Sequence, residues 1–292
     1  MRVSLGGAST THLIEGAPLT TLQAIVMAVL QGLTELFPVS SLGHAVILPR
    51  LLHWSIDQKA PDYLPYLVVM HLGTAIALFL FFWRDWLSFL LSIINPSGPR
   101  SPADRRIFLL VILATIPAVI VGVIARKILG DAFGSPLIAA IFLIVNGFIL
   151  FGGDKVAGQA VGVLDQLNWK GALAIGIAQC FALIPGISRS GATIVAGVVA
   201  GLQHKDSARF SFLLATPIIL GATVHEAPAL FKQGATLGGA AILSGVVAGI
   251  VAYISTLVLM RYFNRHEFEA LNPFAYYCWA VGAVSIALIA LT

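Results

Sequence analysis

The feature that most restricts this sequence is a series of apolar runs, each long enough to cross a lipid bilayer as a helix. One crossing takes about 17 to 25 apolar residues. Six runs meet this length: 63–83, 107–125, 136–153, 210–231, 235–260 and 271–292. With 58% hydrophobic and 10% charged residues, the chain carries more apolar surface than one soluble core can bury. The sequence therefore predicts an all-α integral membrane protein.

Two further apolar regions, 19–53 and 171–202, are interrupted near their middle. The interruptions read FPVSS and PGISRSG. Proline and clustered glycine and serine end a helix and free backbone groups, which are tolerated at membrane depth only where protein or a water-filled cavity satisfies them. Each arm is also short for a crossing. Each region therefore predicts a re-entrant helix hairpin, which enters the membrane and returns to the same side.

The order of these elements indicates an inverted repeat. The first predicted repeat, 19–153, is a hairpin followed by three crossings, and the second, 171–292, has the same order. Three crossings are an odd number, so the second repeat must be inverted, an arrangement that places a site at the midplane between repeats. We predict a single membrane domain over 1–292, with six transmembrane helices and two re-entrant hairpins whose tips meet inside the membrane.

The basic residues predict the orientation of the chain. The net charge is +4, and the lysines and arginines fall mostly in short loops between apolar runs, with a bias to one side. Such loops are richer in basic residues on the cytoplasmic side. This bias puts both termini and the mouth of the first hairpin outside, and it makes the second hairpin enter from the cytoplasm. We read the charge as a topology signal and predict no nucleic-acid partner.

Polar residues at the second tip predict an anion site. A helix that begins at a serine- and glycine-rich break offers free N–H groups and the positive end of its dipole, and an arginine fork suits two phosphate oxygens. An unpaired charge at the bilayer centre costs about 2.5 to 3.5 kcal/mol, so Glu35 and Arg189 need partners or a ligand. The candidate anion cradle consists of Ser188, Arg189, Ser190, Gly191 and Thr193.

The first tip supplies groups for chemistry. Ser41 is a candidate nucleophile, Glu35 a candidate base, and His44 a candidate acid or base three residues beyond Ser41. An anion cradle opposite such a group suggests phosphoryl chemistry on a lipid. Ser40 and Gln31 are candidate substrate contacts beside this group. Three of the site residues also have a structural explanation: Ser40 as a helix cap, His44 as a structural histidine, and Arg189 as the ion-pair partner of Glu35.

Two motifs carry a resemblance to a known family. QGLTELFPVSSLGH and PGISRSGATIVAG, with the shorter stretches IPAVIVG, FSFLLATPIILGA and NPFAYY, resemble the undecaprenyl-diphosphatase family associated with bacitracin resistance. The resemblance runs from about residue 20 to the C-terminus. It implies a multi-pass enzyme of the bacterial inner membrane that converts undecaprenyl diphosphate to the monophosphate carrier of peptidoglycan and other envelope polymers. The charge bias of the loops favours a site open to the outer side.

The resemblance also implies roles for single residues. The family's acidic motif falls on Gln31 and Glu35, its serine and histidine on Ser41 and His44, and its arginine motif on Ser188, Arg189, Ser190 and Thr193. The family often has a second glutamate where this chain has Gln31. A divalent cation such as Mg²⁺ or Ca²⁺ is implied, with Glu35 as a ligand. With one carboxylate in place of two, we expect the substrate phosphates to supply much of the ligation.

Several alternatives remain open from the sequence. Either Ser41 or His44 could be the nucleophile, and either Glu35 or His44 could accept the proton of Ser41. A transporter or flippase for a lipid phosphate or another anion would use the same tips, although it has little use for a nucleophile beside a base. His71 could line the cavity between the tips, although a hydrogen bond between helices is the simpler interpretation, and Asn146 is most simply a polar contact between helices. The pair Gly245 and Gly249 fits either a homodimer or packing within the chain.

Overall fold

The protein is all-helical in the part of the chain that the computed structural model describes, which is residues 20–54, 63–98, 101–129, 134–158, 160–232, 239–266 and 268–291. The α-helices in this part are α1 Thr21–Thr34, α2 Ser41–Leu51, α3 Tyr63–Phe81, α4 Trp83–Ile94, α5 Ser101–Leu129, α6 Pro136–Ala157, α7 Trp169–Ala178, α8 Arg189–Val199, α9 His204–Lys232, α10 Gly239–Arg265 and α11 Asn272–Leu291. Two short 3₁₀ turns, Leu164–Gln166 and Gln179–Leu183, flank α7. The prediction of an all-α membrane protein is confirmed.

The long helices lie where the apolar runs predict crossings. Helices α5, α6, α9, α10 and α11 are each long and apolar enough to cross a membrane, and large apolar side chains are exposed along them. Exposed leucine, isoleucine and phenylalanine in mid-helix fit a lipid environment, which identifies a multi-pass membrane protein. Residues 235–238 of the predicted fifth crossing lie outside the described residues.

The predicted crossing 63–83 differs from the structure at its end. Helix α3 qualifies as a span only together with α4, and the two helices meet at Phe82 with a bend of 71°. The charged pair Arg84 and Asp85 opens α4, and Asp85 forms an ion pair with Arg209 of α9. Helix α4 is therefore held at an angle by a charged contact, a tertiary effect that the apolar pattern of α3 does not encode.

Both interrupted regions form helix pairs separated by a break. Helix α1 packs on α2 and helix α7 packs on α8. Several helix contacts occur twice, with corresponding helices of the two predicted repeats exchanged. Helix α1 packs on α10 as α7 packs on α5, and α6 packs on α8 as α11 packs on α2. Such exchange is what an internal repeat produces. The repeat boundaries 19–153 and 171–292 and the inverted topology stay predictions.

Helices α3 and α10 pack closely because glycines remove the side chains between them. A Cβ on Gly73 would lie 2.0 Å from the carbonyl oxygen of Gly245, and one on Gly249 would lie 3.0 Å from the carbonyl oxygen of Gly73. Gly245 and Gly249 therefore contact α3 of the same chain. A homodimer stays a prediction, and these glycine contacts do not require one.

We expect Gly73→Ala to destabilise the protein by about 1 to 3 kcal/mol, because the added methyl group meets backbone atoms that cannot move without separating α3 from α10. The measurement is the thermal unfolding midpoint in detergent. Gly152→Ala in α6 is the matched control, since a Cβ there meets no atom within 4 Å. Equal midpoints for the two variants would contradict the close packing of α3 and α10.

Candidate active site

The break between α1 and α2 is formed by Glu35 to Ser40. Helix α1 ends at Thr34, and Ser40 takes a left-handed backbone conformation with φ of 71°. The Ser40 hydroxyl accepts a hydrogen bond from Gly43 N at 3.2 Å. Ser40 is therefore the N-cap of α2, as the sequence allowed, and its role as a substrate contact stays a prediction. This cap turns the chain so that α2 begins at Ser41, and it places the Ser41 hydroxyl beside the carboxylate of Glu35.

The break between α7 and α8 ends in a similar cap. The Ser188 hydroxyl accepts a hydrogen bond from Gly191 N at 3.1 Å and lies 3.0 Å from the Ser190 hydroxyl. Gly186 has φ of 101°, and a Cβ there would lie 2.3 Å from the carbonyl oxygen of Ala139. Only glycine fits this position, since both its backbone conformation and the approach of α6 exclude a side chain. Helix α8 then begins with Arg189.

The two tips contact each other, as predicted, and Asn146 of α6 joins them. Its Nδ2 donates to the carbonyl oxygen of Pro38 at 2.9 Å, and its Oδ1 accepts from Ser188 N at 2.9 Å. The Ser190 hydroxyl donates to the carbonyl oxygen of Phe37 at 3.1 Å, which adds a direct bond between the tips. Asn146 is fully buried. Its amide therefore satisfies one freed backbone group from each break.

Glu35 is the centre of the polar cluster. Its Oε2 accepts from the Ser41 hydroxyl at 2.6 Å and from Gln31 Nε2 at 3.0 Å, and its Oε1 accepts from Arg189 Nη2 at 3.0 Å. The carboxylate is 8% exposed and the arginine side chain 14% exposed. The structure thus brings together four predicted site residues. The 2.6 Å contact places a carboxylate where it can accept the Ser41 proton.

His44 is held away from this cluster. Its Nδ1 lies 2.7 Å from the carbonyl oxygen of Ser40, and its Nε2 lies 2.9 Å from the hydroxyl of Tyr277 in α11. A carbonyl only accepts, so Nδ1 carries a hydrogen and the neutral ring accepts from Tyr277 through Nε2. Of the two candidate bases, the structure places Glu35 and not His44 at Ser41. The catalytic role of His44 stays a prediction.

Three residues of the predicted cradle lie behind the tip. Ser190, Gly191 and Thr193 are buried, and the Thr193 hydroxyl bonds to the carbonyl oxygen of Arg189 at 2.8 Å and to the Ser211 hydroxyl at 2.6 Å. The predicted site residues that do line the cavity are Glu35, Ser40, Ser41, Ser188 and Arg189. The buried residues fix the start of α8, and their role as substrate contacts stays a prediction.

The cavity at the tips has a volume of about 180 Å³. It adjoins a groove of about 510 Å³ between α5, α9 and the turn Gln179–Leu183, and Arg189 lines both. The groove is apolar along most of its wall. Arg189 Nη1 is buried without a hydrogen-bond partner among the described residues. A polar end with an unsatisfied guanidinium N–H, continued by an apolar groove, suits an amphipathic anion.

Comparison with known proteins supports the family suggested by the two motifs. The family model described as bacitracin resistance protein BacA matches residues 24–284. The chain belongs to the BacA family. It is 49% identical over 279 residues to the undecaprenyl-diphosphatase of Acidiphilium cryptum strain JF-5, covering 93% of this chain and 99% of that relative. It is also 49% identical over 285 residues to the undecaprenyl-diphosphatase of Granulibacter bethesdensis, with 92% and 97% covered.

The side chains at the BacA-family site do not provide enough free oxygen or nitrogen ligands to hold a metal ion without a substrate. Both oxygens of Glu35, the tentative ligand, accept hydrogen bonds from Gln31, Ser41 or Arg189. The residues that the structure describes contain no group of three histidine, cysteine or acidic side chains that could hold a metal. A divalent ion here would take most of its oxygen ligands from a bound substrate.

Sequence reasoning underestimated Asn146 and did not identify Tyr277 as a site residue. Asn146 makes the predicted contact between helices, from its Nδ2 to Cys278 Sγ of α11 at 3.4 Å, and it also joins both breaks. Tyr277 holds His44 and lies within the NPFAYY stretch that contributes to the family resemblance. An amide in the middle of an apolar crossing was the available signal for Asn146, because such a group needs a polar partner in the membrane.

Proposed function

We propose that this BacA-family chain is an undecaprenyl-diphosphate phosphatase, which hydrolyses the lipid diphosphate to undecaprenyl phosphate and inorganic phosphate. The observation that carries the proposal is the Ser41 hydroxyl 2.6 Å from the Glu35 carboxylate, in a cavity that Arg189 shares. This arrangement combines a nucleophile, a base and a cation for the phosphate charge. The relatives that bear the same enzyme name support the choice of substrate.

In the proposed mechanism, Glu35 accepts the proton of Ser41 as its oxygen attacks the terminal phosphorus. The bond from phosphorus to the bridging oxygen breaks, and undecaprenyl phosphate leaves. Water then releases phosphate from Ser41. Arg189 offers its unpartnered Nη1 to the phosphate oxygens and offsets charge that develops in the transition state. Ser40, Ser188, Ser190, Gly191 and Thr193 shape the cradle through the two helix caps and the hydroxyl contacts behind α8.

The groove beside Arg189 is proposed to hold the prenyl chain. Its apolar wall joins the cavity at Arg189, so a diphosphate can lie at Ser41 while its lipid tail runs between α5 and α9. A divalent cation, Mg²⁺ or Ca²⁺, is proposed to be bound chiefly by the diphosphate oxygens and to offset their charge. We further propose an inner-membrane location, a site open to the outer side, and a contribution to bacitracin resistance through recycling of the lipid carrier.

The transporter hypothesis is the second candidate, because broken helices that meet in the membrane are also the architecture of anion carriers. Arg189 and the cavity would serve either function. The hydrogen bond from Ser41 to Glu35 favours hydrolysis, since a carrier site gains nothing from a deprotonated hydroxyl. The histidine variant of the mechanism, with a phosphohistidine at His44, requires the attacking ring nitrogen to give up its bond, either Nδ1 to Ser40 or Nε2 to Tyr277.

Phosphate release from a long-chain prenyl diphosphate by the purified protein in detergent tests the proposed function. We expect turnover by the wild type and a fall to background for Ser41→Ala, a loss of roughly a thousandfold or more for an essential nucleophile. Ser88→Ala is the matched control, because its hydroxyl bonds only within α4, to the Asp85 carbonyl.

Three results would count against the mechanism in different ways. Binding of the lipid without phosphate release by the wild type would favour a carrier. Substantial turnover by Ser41→Ala, with an acid-labile phosphoprotein, would favour His44 as the nucleophile. Equal losses in Ser41→Ala and Ser88→Ala would show that Ser41 has no special role.

A further inference from the structure

His71 of α3 belongs to the same cavity as Glu35, Ser41 and Arg189. The sequence allows His71 either to line the cavity or, more simply, to form a hydrogen bond between helices. Its only hydrogen bond among the described residues is instead within its own helix, where Nδ1 lies 2.8 Å from the carbonyl oxygen of Leu67. The carbonyl only accepts, so Nδ1 carries a hydrogen. Nε2 is then the ring atom left to exchange a proton in the cavity.

The two histidines near the tips therefore differ in what their rings can do. Both ring nitrogens of His44 have partners, one from its own helix and one from Tyr277. In the described part of the chain, His71 has a partner for Nδ1 alone. A fixed Nδ1 and an open Nε2 are what a general acid or base needs, since one hydrogen bond sets the tautomer and the ring orientation while the other nitrogen meets the substrate.

The charged surroundings of His71 are few. Glu35, from the end of α1, interacts electrostatically with it, and Arg189 at the start of α8 lines the same cavity. Helix α9 contributes only Ile218, Ile219 and Ala222 to the cavity wall, and α10 contributes no residue. The titratable residues of α9 closest in sequence to this wall, His225 and Glu226, line the adjoining groove instead. Among the described residues, an imidazolium at His71 thus shares its cavity with one carboxylate and one guanidinium, and it would also meet the substrate phosphates.

We infer that His71 is a further catalytic residue, the general acid and base that serves the leaving phosphate and then the attacking water. The inference rests on the proposed phosphatase function. Ser41, Arg189 and His71 line one cavity of about 180 Å³. Because this cavity is small, a phosphate bound between Ser41 and Arg189 would lie next to the imidazole.

The proton transfers balance over one turnover. In the first step Ser41 gives its proton to Glu35, the Ser41 oxygen bonds to phosphorus, and His71 Nε2–H gives its proton to the bridging oxygen of the departing lipid phosphate. In the second step water gives a proton to the neutral Nε2 as its oxygen bonds to phosphorus. The phosphorus to Ser41 bond breaks, and the serine oxygen recovers its proton from Glu35. No other reactant is needed.

The test compares wild type, His71→Gln and the control His266→Gln for prenyl diphosphate hydrolysis across a pH series. His266 makes the same local bond, Nδ1 to the carbonyl oxygen of Tyr262 at 2.9 Å, but it is exposed at the end of α10. We expect His71→Gln to lower kcat by about a hundredfold or more with KM little changed, because an acid and base is lost and not a binding group. His266→Gln should match the wild type.

The pH profile separates catalysis from structure. Since His71 exchanges a proton in both steps, the pH dependence of kcat in the wild type should differ from that in His71→Gln. Added imidazole should restore turnover to His71→Ala, which is checked for folding by its thermal midpoint. Wild-type kcat and an unchanged pH profile in His71→Gln, or no rescue of a folded His71→Ala, would overturn the inference. Failure of the proposed function would show differently, as no phosphate release by the wild type.

Discussion

Glu35→Gln should bring phosphate release down to the level of Ser41→Ala and also destabilise the protein. The variant keeps the size of the side chain but removes the charge that accepts the Ser41 proton and pairs with Arg189 at 3.0 Å. Loss of a general base lowers turnover by about 10² to 10⁴. Loss of one partner of a buried ion pair costs about 3 to 5 kcal/mol, since the remaining charge stays buried without compensation.

The measurements are phosphate release and the thermal midpoint in detergent. Glu269→Gln is the matched control, because Glu269 forms an exposed ion pair with Lys155 at 3.5 Å and should change neither. The double variant Glu35→Gln with Arg189→Gln should recover part of the lost stability and none of the activity, because it removes the unpaired charge but not the need for a base. A stable, active Glu35→Gln would contradict the central role of this carboxylate.

Asn146→Ala should lower both activity and stability although Asn146 lies outside the cavity wall. Its amide holds Pro38 O of the first tip and Ser188 N of the second, each at 2.9 Å, and the variant leaves both backbone groups buried without a partner. Each such group costs about 1 to 3 kcal/mol. The tips then lose a shared anchor, and a small displacement of reacting groups can lower turnover by about a hundredfold.

Asn95→Ala, an exposed asparagine at the end of α4, is the control for loss of an amide and should behave like the wild type. The decisive comparison is between kcat and the thermal midpoint, read at a temperature where Asn146→Ala is fully folded. A folded variant with low kcat supports Asn146 as the residue that positions the two tips. Wild-type kcat in the folded variant would show that the Ser190 to Phe37 bond is sufficient to align them.

Residue types alone predicted several contacts at the site. The cost of burying Glu35 and Arg189 predicted that they pair or bind a ligand, and the structure pairs them while leaving Arg189 Nη1 without a partner. Ser40 and Ser188 were each consistent with a cap, and both hydroxyls accept from the N–H three residues on. Local rules of helix termination sufficed here because the partner atoms lie within one helical turn.

The histidines show what residue spacing leaves open. His44 lies three residues after Ser41, and its ring bonds to Tyr277, which lies 233 positions away in the chain, so its role in the reaction stays a prediction. The sequence left His71 with two roles, lining the cavity or bonding between helices, and it lines the cavity with Glu35. Spacing along one helix fixes the face on which a side chain starts, and distant helices decide what that face meets.

The sequence by itself determined the apolar spans, the two interrupted regions and the residue types at the tips. These properties follow from bilayer thickness, from the limits that proline and glycine set on a helix, and from the cost of charge in hydrocarbon, all of which act over a few turns of chain. Only the tertiary structure decided that α4 turns away at Phe82, that Asn146 joins both tips, and that Glu35 rather than His44 meets Ser41. Those outcomes depend on contacts between helices far apart in sequence, for which no local pattern specifies a partner.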